Sequence, residues 1–311
     1  MVVNTALQSQ RNPGPSWGYA FLLWADRWWP RGLFRLGLMI GTWVGLANMP
    51  AQRAHSRAYL AHMLGRPPRL VEVWRHFFAF AEFLMLKLRA GRGVAVRGRL
   101  EPENAAEFDA LVASDRPALF GTFHFGCSDL LGFLLGDRGR RVTLIRLRVE
   151  NSADTELLGS RFAEHVSFLW VNDPANLLFE LKDALEAGLS LAMKCDRLEF
   201  SAKAEAFEFL GARRLFPFTI YHLAVMFDRP VVFCVAIPDA GPDAIRVFAS
   251  PVFTPDATLG RAENLARGRS HFQAVLAQLE ELVRQHPSLW FNFLPLNPVA
   301  APAPPTNAVV R

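Results

Sequence analysis

The sequence predicts an α/β protein with a mostly parallel central sheet flanked by helices, and with a helical N-terminal region. From residue 117 onward, short apolar runs recur, and amphipathic stretches of helical length separate them. Strands that alternate with helices in this way form a parallel sheet covered on both faces. Hydrophobic residues make up 51% of the 311 residues and charged residues 20%, so the chain can bury a sizeable globular core.

The N-terminal region is predicted to be helical and to lie near a membrane. The stretch "WGYAFLLWADRWWPRG" (17–32) mixes four tryptophans with two arginines, which is typical of a membrane interface. An aromatic-rich helix packed on the protein is the alternative. The next apolar segment, 36–49, is shorter than the ~20 residues that a membrane-spanning helix needs. Residues 70–91 follow with the periodicity of a long helix.

The remaining elements are predicted from the alternation of apolar runs and amphipathic stretches. Five apolar runs are the candidate strands: 117–123, 141–147, 166–171, 189–195 and 230–237. The candidate helices cover 126–135, 153–164, 175–187, 217–228 and 261–286, and 244–253 is a candidate edge strand. The predicted organisation is a flexible tail (1–20), a helical, membrane-proximal region (21–92), an α/β domain (93–298) and a Pro- and Ala-rich disordered tail (299–311).

Charge and cysteine usage restrict the classes of partner. The formal net charge is +5, almost wholly from arginine, which suits lipid headgroups, phosphates or an acidic carrier protein. No basic run is dense enough to favour nucleic acid. The three cysteines, Cys127, Cys195 and Cys234, are far apart and odd in number. They indicate a reducing compartment and predict neither a zinc site nor a disulfide framework, and we predict no metal and no cofactor.

The candidate site lies beyond the carboxyl ends of the strands, where open α/β sheets bind their ligands. Polar residues at or just after the ends of the apolar runs are therefore the first candidates: His124, Arg146, Arg148, Asn172, Asp173, Asp196 and Arg197.

His124 directly follows the first apolar run, and Asp129 lies five residues further on. A carboxylate on one imidazole nitrogen fixes the tautomer and stabilises the imidazolium when the other nitrogen takes a proton. No serine is required if the nucleophile is the hydroxyl of the substrate. The alternative is a hydrogen-bonded histidine at a strand end followed by a solvated helix aspartate, because a bare H-x4-D spacing often occurs by chance.

Longer stretches carry a resemblance to a known family. "HFGCSD" (124–129) resembles the H-x4-D motif of the glycerolipid and lysophospholipid acyltransferase superfamily. Three later stretches resemble the lipid A acyltransferase branch, which uses acyl carrier protein thioesters: "LLFELKDALEAGLSLAMKCDR" (177–197), "FEFLGARRLFPFTIYHLAVMFDRPVVF" (207–233) and "ELVRQHPSLWFNFLPL" (281–296). The resemblance spans about residues 20–297, and it is closest to acyltransferases linked to aryl polyene and related pigment lipids.

The resemblance implies a glycerolipid acyltransferase-like fold and an enzyme of lipid biosynthesis. Such an enzyme moves an acyl group from a thioester, of acyl carrier protein or coenzyme A, to a hydroxyl of a lipid or glycolipid acceptor. His124 is implied to be the general base and Asp129 the acid that orients it, with no covalent enzyme intermediate. Backbone N–H groups at the start of the helix after His124 are the expected donors to the thioester oxyanion.

Five further residues are candidates for substrate binding. Arg161 matches an arginine of the lipid A branch and is expected to contact a phosphate or the oxyanion, whereas the alternative is a surface arginine. Asp196 matches an acidic residue of the family block, with a turn or helix cap as the alternative. Arg197, Arg213 and Arg214 are candidates for gripping a phosphate or phosphopantetheine, although the "GARR" stretch also fits a solvated hairpin.

The chain departs from the family pattern at its N-terminus, and other readings stay open. Many superfamily members carry a clear N-terminal spanning helix, whereas this chain has only the short, Arg-flanked segment; this favours peripheral attachment to the cytoplasmic face of the bacterial inner membrane. The competing classes are a non-catalytic lipid- or carrier-binding protein of the same fold and a thioester hydrolase. No G-x-S-x-G elbow supports a serine hydrolase. Cys127 fits a small packing residue better than a thiol nucleophile.

Overall fold

A computed structural model describes residues 16–147, 153–171, 176–198, 203–291 and 293–300. Within them, the strands are β1 (Arg97–Leu100), β2 (Leu119–Thr122), β3 (Val142–Arg146), β4 (Val166–Trp170), β5 (Ser190–Lys194), β6 (Ala204–Phe209), β7 (Ala212–Pro217), β8 (Val231–Pro238) and β9 (Ala244–Ala249). The helices are α1 (Ser16–Trp28), α2 (Arg31–Asn48), α3 (Pro50–Leu64), α4 (Leu70–Gly91), α5 (Ala105–Ala113), α6 (Leu131–Asp137), α7 (Ala153–Arg161), α8 (Leu177–Glu186), α9 (Thr219–Phe227) and α10 (Arg261–Gln285).

Seven of the described strands form one sheet in the order β1-β9-β8-β2-β5-β3-β4. Strands β8, β2, β5, β3 and β4 are mutually parallel, whereas β9 runs antiparallel to β8. The predicted α/β class with a mostly parallel sheet is therefore confirmed. The candidate edge strand is instead covered on its outer side by β1, whose short sequence, RGRL, shows no apolar alternation. The exposed arginines of β1 suit a sheet edge.

The core lies on both faces of this sheet, which explains why the strands read as continuous apolar runs. Successive residues of β2 enter different clusters. Leu119 packs in the cluster that includes residues of α9 and α10, whereas Phe120 packs in the cluster that includes residues of α5 and α6. Both side chains are buried. Because each strand needs apolar residues at every position, the sequence shows the strands without showing which face each side chain meets.

The N-terminal region is helical, as predicted, and the long helix 70–91 coincides with α4. Helix α4 buries its apolar face against the body of the protein, while α1 and α2 leave large apolar side chains exposed: Trp17, Phe21, Trp24, Trp28, Leu33, Leu36, Met39, Ile40, Trp43 and Val44. Among the described residues, no helix is long and apolar enough to cross a bilayer. Residues 1–15 and 301–311, which contain most of the two predicted tails, lie outside the described residues.

A two-stranded hairpin, β6 and β7, lies apart from the main sheet and contains the "GARR" stretch. Its two-residue turn has positive φ at both positions, 51° at Leu210 and 72° at Gly211, as a tight hairpin turn requires. The hairpin interpretation of this stretch is therefore the one that the structure shows.

Candidate functional site

The site forms where strands β2 and β5 end side by side. The two strands are parallel neighbours, and Thr122 pairs with Lys194 at their carboxyl ends. The pairing continues past the strands, because the Cys195 N–H donates to the Thr122 carbonyl at 2.8 Å. His124 and Asp196 each lie two residues beyond this last pair, so they come together although 72 residues separate them in the sequence.

The Asp196 carboxylate holds the His124 imidazole. His124 Nδ1 lies 2.7 Å from Asp196 Oδ1, and the His124 backbone N–H donates to Asp196 Oδ2 at 2.8 Å. The Trp290 indole N–H donates to the same Oδ2 at 3.2 Å. Because an ionised carboxylate only accepts hydrogen bonds, the proton of the neutral ring sits on Nδ1, and Nε2 is the nitrogen with a free lone pair. This is the arrangement of a general base.

The electrostatics keep the imidazole neutral and Asp196 ionised. Burial lowers the pKa of His124 to about 3, with the positive charge of Arg197 acting in the same direction and Asp196 opposing it. Burial opposes ionisation of Asp196, which has no exposed surface, but the contact with His124 and the charge of Arg197 hold the pKa of Asp196 below its ordinary value. At neutral pH the His124 imidazole is therefore neutral, and its Nε2 carries no proton.

Asp129 does not take the position on the imidazole that the H-x4-D spacing predicted. Its carboxylate contacts Lys87, Lys194 Nζ at 3.1 Å, and Arg146 Nη2 at 2.9 and 3.1 Å. The chain between His124 and Asp129 is turned by Gly126, at a φ of 53°, which places Asp129 in the short 3-10 helix Ser128–Leu130. The orienting carboxylate in contact with His124 is Asp196.

The turn after His124 also uses the backbone donors that were expected to stabilise an oxyanion. The Gly126 N–H donates to the Leu289 carbonyl and the Cys127 N–H to the Ala236 carbonyl, both at 2.7 Å. No side chain can replace the glycine here, because a Cβ on Gly126 would lie 2.1 Å from the Ala236 oxygen. These two N–H groups are therefore committed to the fold and are not free to bind an oxyanion.

Three cations thus surround one largely buried carboxylate. The exposed fractions are 11% for the Asp129 side chain, 8% for Lys87, 19% for Lys194 and 20% for Arg146. Burial opposes ionisation of Asp129, but the charges of Arg146, Lys194 and Lys87 hold its pKa well below the ordinary value. Burial lowers the pKa of Lys194, while Asp129 and Asp196 oppose that shift.

Residues 290–297, near the C-terminus, form hydrogen bonds that hold His124 and Asp196 in place. The Phe291 N–H donates to the His124 carbonyl at 2.7 Å, and Asn297 Nδ2 donates to the Asp196 carbonyl at 3.1 Å. The Trp290 carbonyl is 2.9 Å from Nε2 of His76, a fully buried histidine of α4. The sequence analysis gave Trp290 no role, although the residue lies in the stretch 281–296 that resembles the acyltransferase family. A signal for Lys87 was available, since it is a lone lysine in an otherwise apolar stretch of α4.

The structure places two of the four predicted arginines near the His124–Asp196 pair and the other two on the surface. Arg197 lies close enough to the pair to shift both pKa values. Arg214 is buried and donates to the Asn297 carbonyl at 2.9 Å, so it supports the segment that holds Asp196. Arg213 is exposed on the hairpin, and Arg161 is exposed at the end of α7 with its guanidinium over the Phe162 ring. The two exposed arginines therefore remain predicted ligands of a substrate phosphate.

Of four further candidates, only Cys127 lies in the described part of the chain. Cys127 is buried, and burial raises the pKa of its thiol to about 12, so it is not a thiolate at neutral pH. This supports the packing interpretation. Arg148, Asn172 and Asp173 lie outside the described residues.

An apolar cavity of about 120 Å³ lies between the sheet and α6. Its wall includes Thr122, two residues before His124, together with Ala192 and Cys234 of the sheet and Leu131 of α6. The volume is close to that of engineered apolar cavities of about 150 Å³ that bind benzene. The cavity therefore has room for a small apolar group on the face of the sheet where Phe120 and Ala192 point.

The chain was compared with known proteins, and five solved chains are similar to it. No protein family model and no curated protein matches the sequence. The chain is similar to the crystal structure of the 1-acyl-sn-glycerophosphate (LPA) acyltransferase PlsC from Thermotoga maritima, with a TM-score of 0.40 and 15% sequence identity over 82% of this chain and 99% of that chain. Since a fold hosts many functions, we base the functional assignment on the residues of the site.

Proposed function

We propose that the protein is an acyltransferase that moves an acyl group from a thioester donor to a hydroxyl of a lipid or glycolipid acceptor. The observation that carries this proposal is the contact of 2.7 Å between His124 Nδ1 and the buried Asp196 carboxylate, which leaves Nε2 as a base at the carboxyl edge of the sheet. The resemblance of residues 124–129 and of the later stretches to acyltransferase motifs supports the same reaction class.

The mechanism is a single displacement. His124 Nε2 accepts the proton of the acceptor hydroxyl as the oxygen attacks the thioester carbonyl carbon, and Asp196 stabilises the resulting imidazolium. The tetrahedral intermediate collapses with cleavage of the C–S bond, and the departing thiolate takes the proton from the imidazolium. Arg197 and Lys194, whose charges already act on His124, favour the oxyanion electrostatically. No enzyme nucleophile is needed.

The donor and acceptor classes follow from the motif resemblance and from charge. Acyl carrier protein is the proposed donor, with coenzyme A thioesters as the alternative, because the branch that the sequence resembles uses carrier proteins. The net charge of +5 suits an acidic carrier. Within that branch, the resemblance to aryl polyene acyltransferases points to a pigment-lipid or glycolipid acceptor.

The proposed place of action is a membrane surface, the cytoplasmic face of the bacterial inner membrane. Trp17, Trp24 and Trp28 are exposed on α1, although Trp29 is half-buried. Arg27 and Arg31 are exposed beside them, so the surface combines aromatic rings with positive charge, as interfacial helices do.

Sedimentation with lipid vesicles tests this placement. We expect the protein to pellet with vesicles that contain anionic phospholipid, and the double variant Trp24→Ala with Trp28→Ala to bind at least about tenfold more weakly, because two large interfacial side chains are lost. Phe179→Ala is the matched control, since Phe179 is equally exposed on α8. Equal binding by all three proteins would remove α1 from the membrane contact.

An acyl-transfer assay tests the reaction. Radiolabelled acyl carrier protein and acyl coenzyme A are offered separately, with an extracted bacterial lipid pool as acceptor. We expect label in lipid from the wild type and a loss of about 10²–10⁴-fold in His124→Gln, because the general base is removed. His222→Gln is the matched control, a half-buried histidine on α9.

The assay separates the competing classes. Label released as free fatty acid without acceptor would indicate a hydrolase. Equal transfer by wild type and His124→Gln would contradict the proposed base. Donor binding by folded wild type without turnover on either donor would favour the non-catalytic binding protein.

A further inference from the structure

A second buried histidine lies behind the His124–Asp196 pair. His76 of α4 has no exposed surface, and both of its ring nitrogens have hydrogen-bond partners. Nδ1 is 2.8 Å from the hydroxyl of Ser56 on α3, and Nε2 is 2.9 Å from the carbonyl oxygen of Trp290. A buried polar ring is costly unless its nitrogens are paired, and an apolar residue would pack without that cost. Packing alone therefore does not account for a histidine at this position.

The two partners of His76 fix its tautomer. A carbonyl oxygen only accepts hydrogen bonds, so Nε2 carries the ring proton and donates to Trp290. Nδ1 is then the acceptor, and the Ser56 hydroxyl donates to it. Burial lowers the pKa of His76 to about 4, so the ring is neutral at neutral pH. The chain of donors therefore runs from α3 through α4 to Trp290.

Trp290 connects this chain of donors to the base. Its carbonyl accepts from His76, whereas its indole N–H donates to Asp196 Oδ2 at 3.2 Å. The N–H of the next residue, Phe291, donates to the His124 carbonyl at 2.7 Å. A rotation of Trp290 would therefore move a hydrogen-bond donor away from the carboxylate that holds the imidazole.

Helix α3 also packs against the Trp290 ring. Tyr59 lies edge-on to that ring, with 5.3 Å between the ring centroids, and its hydroxyl donates to the Pro287 carbonyl at 2.9 Å. The Trp290 side chain is buried. Helices α3 and α4 therefore hold this residue both at its ring and at its backbone.

We propose that His76 is a positioning residue for the His124–Asp196 pair. Its Nε2–H anchors the Trp290 carbonyl, so that the indole of the same residue keeps its hydrogen bond to Asp196. Ser56 sets the tautomer that makes this donation possible. Because His76 is buried and acts through Trp290, it affects proton transfer and not substrate binding. Its effect on turnover rests on the proposed acyltransferase function.

Steady-state kinetics of acyl transfer test this role. We expect His76→Leu to lower kcat by about three- to tenfold with KM unchanged, since one hydrogen bond is lost and the substrate contacts are kept. His76→Gln should restore most of kcat, because its amide N–H can donate to the Trp290 carbonyl. The control His271→Leu should leave kcat unchanged. His271 is matched in its hydrogen bonds, to the Tyr221 hydroxyl at 2.6 Å and the Pro251 carbonyl at 2.8 Å, but these partners lie on α9 and after β9.

A double-mutant cycle distinguishes positioning from a general loss of packing. In the Trp290→Phe background the indole donor is already absent, so His76→Leu should lower kcat no further. An effect of the same size in that background would contradict the proposal. Ser56→Ala is a second variant with a small change in volume, and it should lower kcat by about threefold. It carries the same cycle if circular dichroism shows that His76→Leu does not fold.

NMR follows the hydrogen bond between His124 and Asp196 without turnover. In protein made with isotope-labelled histidine, the Nδ1 proton of His124 is identified by the loss of its resonance in His124→Gln. We expect this resonance to shift in His76→Leu and to return to its wild-type position in His76→Gln. In His271→Leu it should stay at the wild-type position.

The opposite results overturn the inference. If His76→Leu leaves the His124 resonance unchanged, or leaves kcat unchanged in an active protein, His76 does not position the pair. The same holds if His76→Gln is as impaired as His76→Leu. The proposed function fails separately: without acyl transfer by the wild type, a shifted resonance would still support the positioning role.

Discussion

Asp196 and Asp129 lie at the same edge of the sheet and are both largely removed from water, yet their surroundings differ in kind. Asp196 is held by N–H groups of the imidazole, the backbone and an indole. Asp129 is held by two lysines and an arginine. The two carboxylates therefore differ in their ability to stabilise a new positive charge on a neighbouring group.

A carboxylate held by dipoles keeps its negative charge available. When His124 takes a proton, Asp196 stabilises the new charge by on the order of 4 kcal/mol, the interaction of unit charges about 4 Å apart at an effective dielectric constant of about 20. A carboxylate already surrounded by three cations offers no such potential. H-x4-D spacing therefore does not show which carboxylate contacts His124.

The largest expected effect comes from Asp196→Asn. An amide cannot accept hydrogen bonds from both the His124 N–H groups and the Trp290 indole, and it carries no charge to stabilise the imidazolium. We expect kcat/KM for acyl transfer to fall by about 10²–10⁴-fold with a smaller effect on KM. Steady-state kinetics measure this.

Asp129→Asn is the matched control, because Asp129 contacts cations and not the imidazole, so kcat should fall much less than in Asp196→Asn. If Asp129→Asn lowers kcat as much as Asp196→Asn does while both stay folded by circular dichroism, the two carboxylates share the catalytic role.

The next effect in size is on stability, and there Asp129 is expected to matter more than Asp196. Asp129→Asn removes the carboxylate that Lys87, Arg146 and Lys194 all contact, so we expect the free energy of unfolding at neutral pH to fall by about 3–5 kcal/mol. Because the folded pKa of Asp129 lies below its ordinary value, its stabilisation is present above about pH 4 and is lost as the pH falls toward the folded pKa.

Urea unfolding at several pH values measures this. The difference between wild type and Asp129→Asn should shrink below about pH 4, where Asp129 begins to be protonated in the unfolded chain. A difference that does not change with pH would show that the charge of Asp129 is not what stabilises the cluster.

The smallest expected effect is the loss of a single hydrogen bond to Asp196. Trp290→Phe removes the indole donor to Asp196 and keeps an aromatic ring. We expect kcat/KM to fall by about tenfold, since a hydrogen bond to a charged group contributes about 1.5–3 kcal/mol. Trp43→Phe, at a partly exposed tryptophan of α2, should leave kcat/KM unchanged. Equal activity of both variants with wild type would limit the orienting role to His124 and Asp196.

Much of the fold could be predicted because local patterns decide it. The predicted apolar runs 141–147, 166–171 and 189–195 contain strands β3, β4 and β5, since burial on both faces demands apolar residues at every position. Strand β1 was missed, because an edge strand needs no apolar alternation and its existence depends on a partner, β9, more than 140 residues away.

By itself, the sequence determined the order of strands β2, β3, β4, β5 and β8 and of the helices that follow them, and it placed His124 at the end of β2. It also predicted Asp196 at the end of a strand and Asp129 in the helix that follows His124. Only the tertiary structure decided which of them meets the imidazole, because the parallel register of Thr122 with Lys194 brings Asp196 to His124. The turn at Gly126 carries Asp129 toward α4 and β3. Sequence spacing measures distance along the chain, whereas proton transfer depends on distances set by strand pairing.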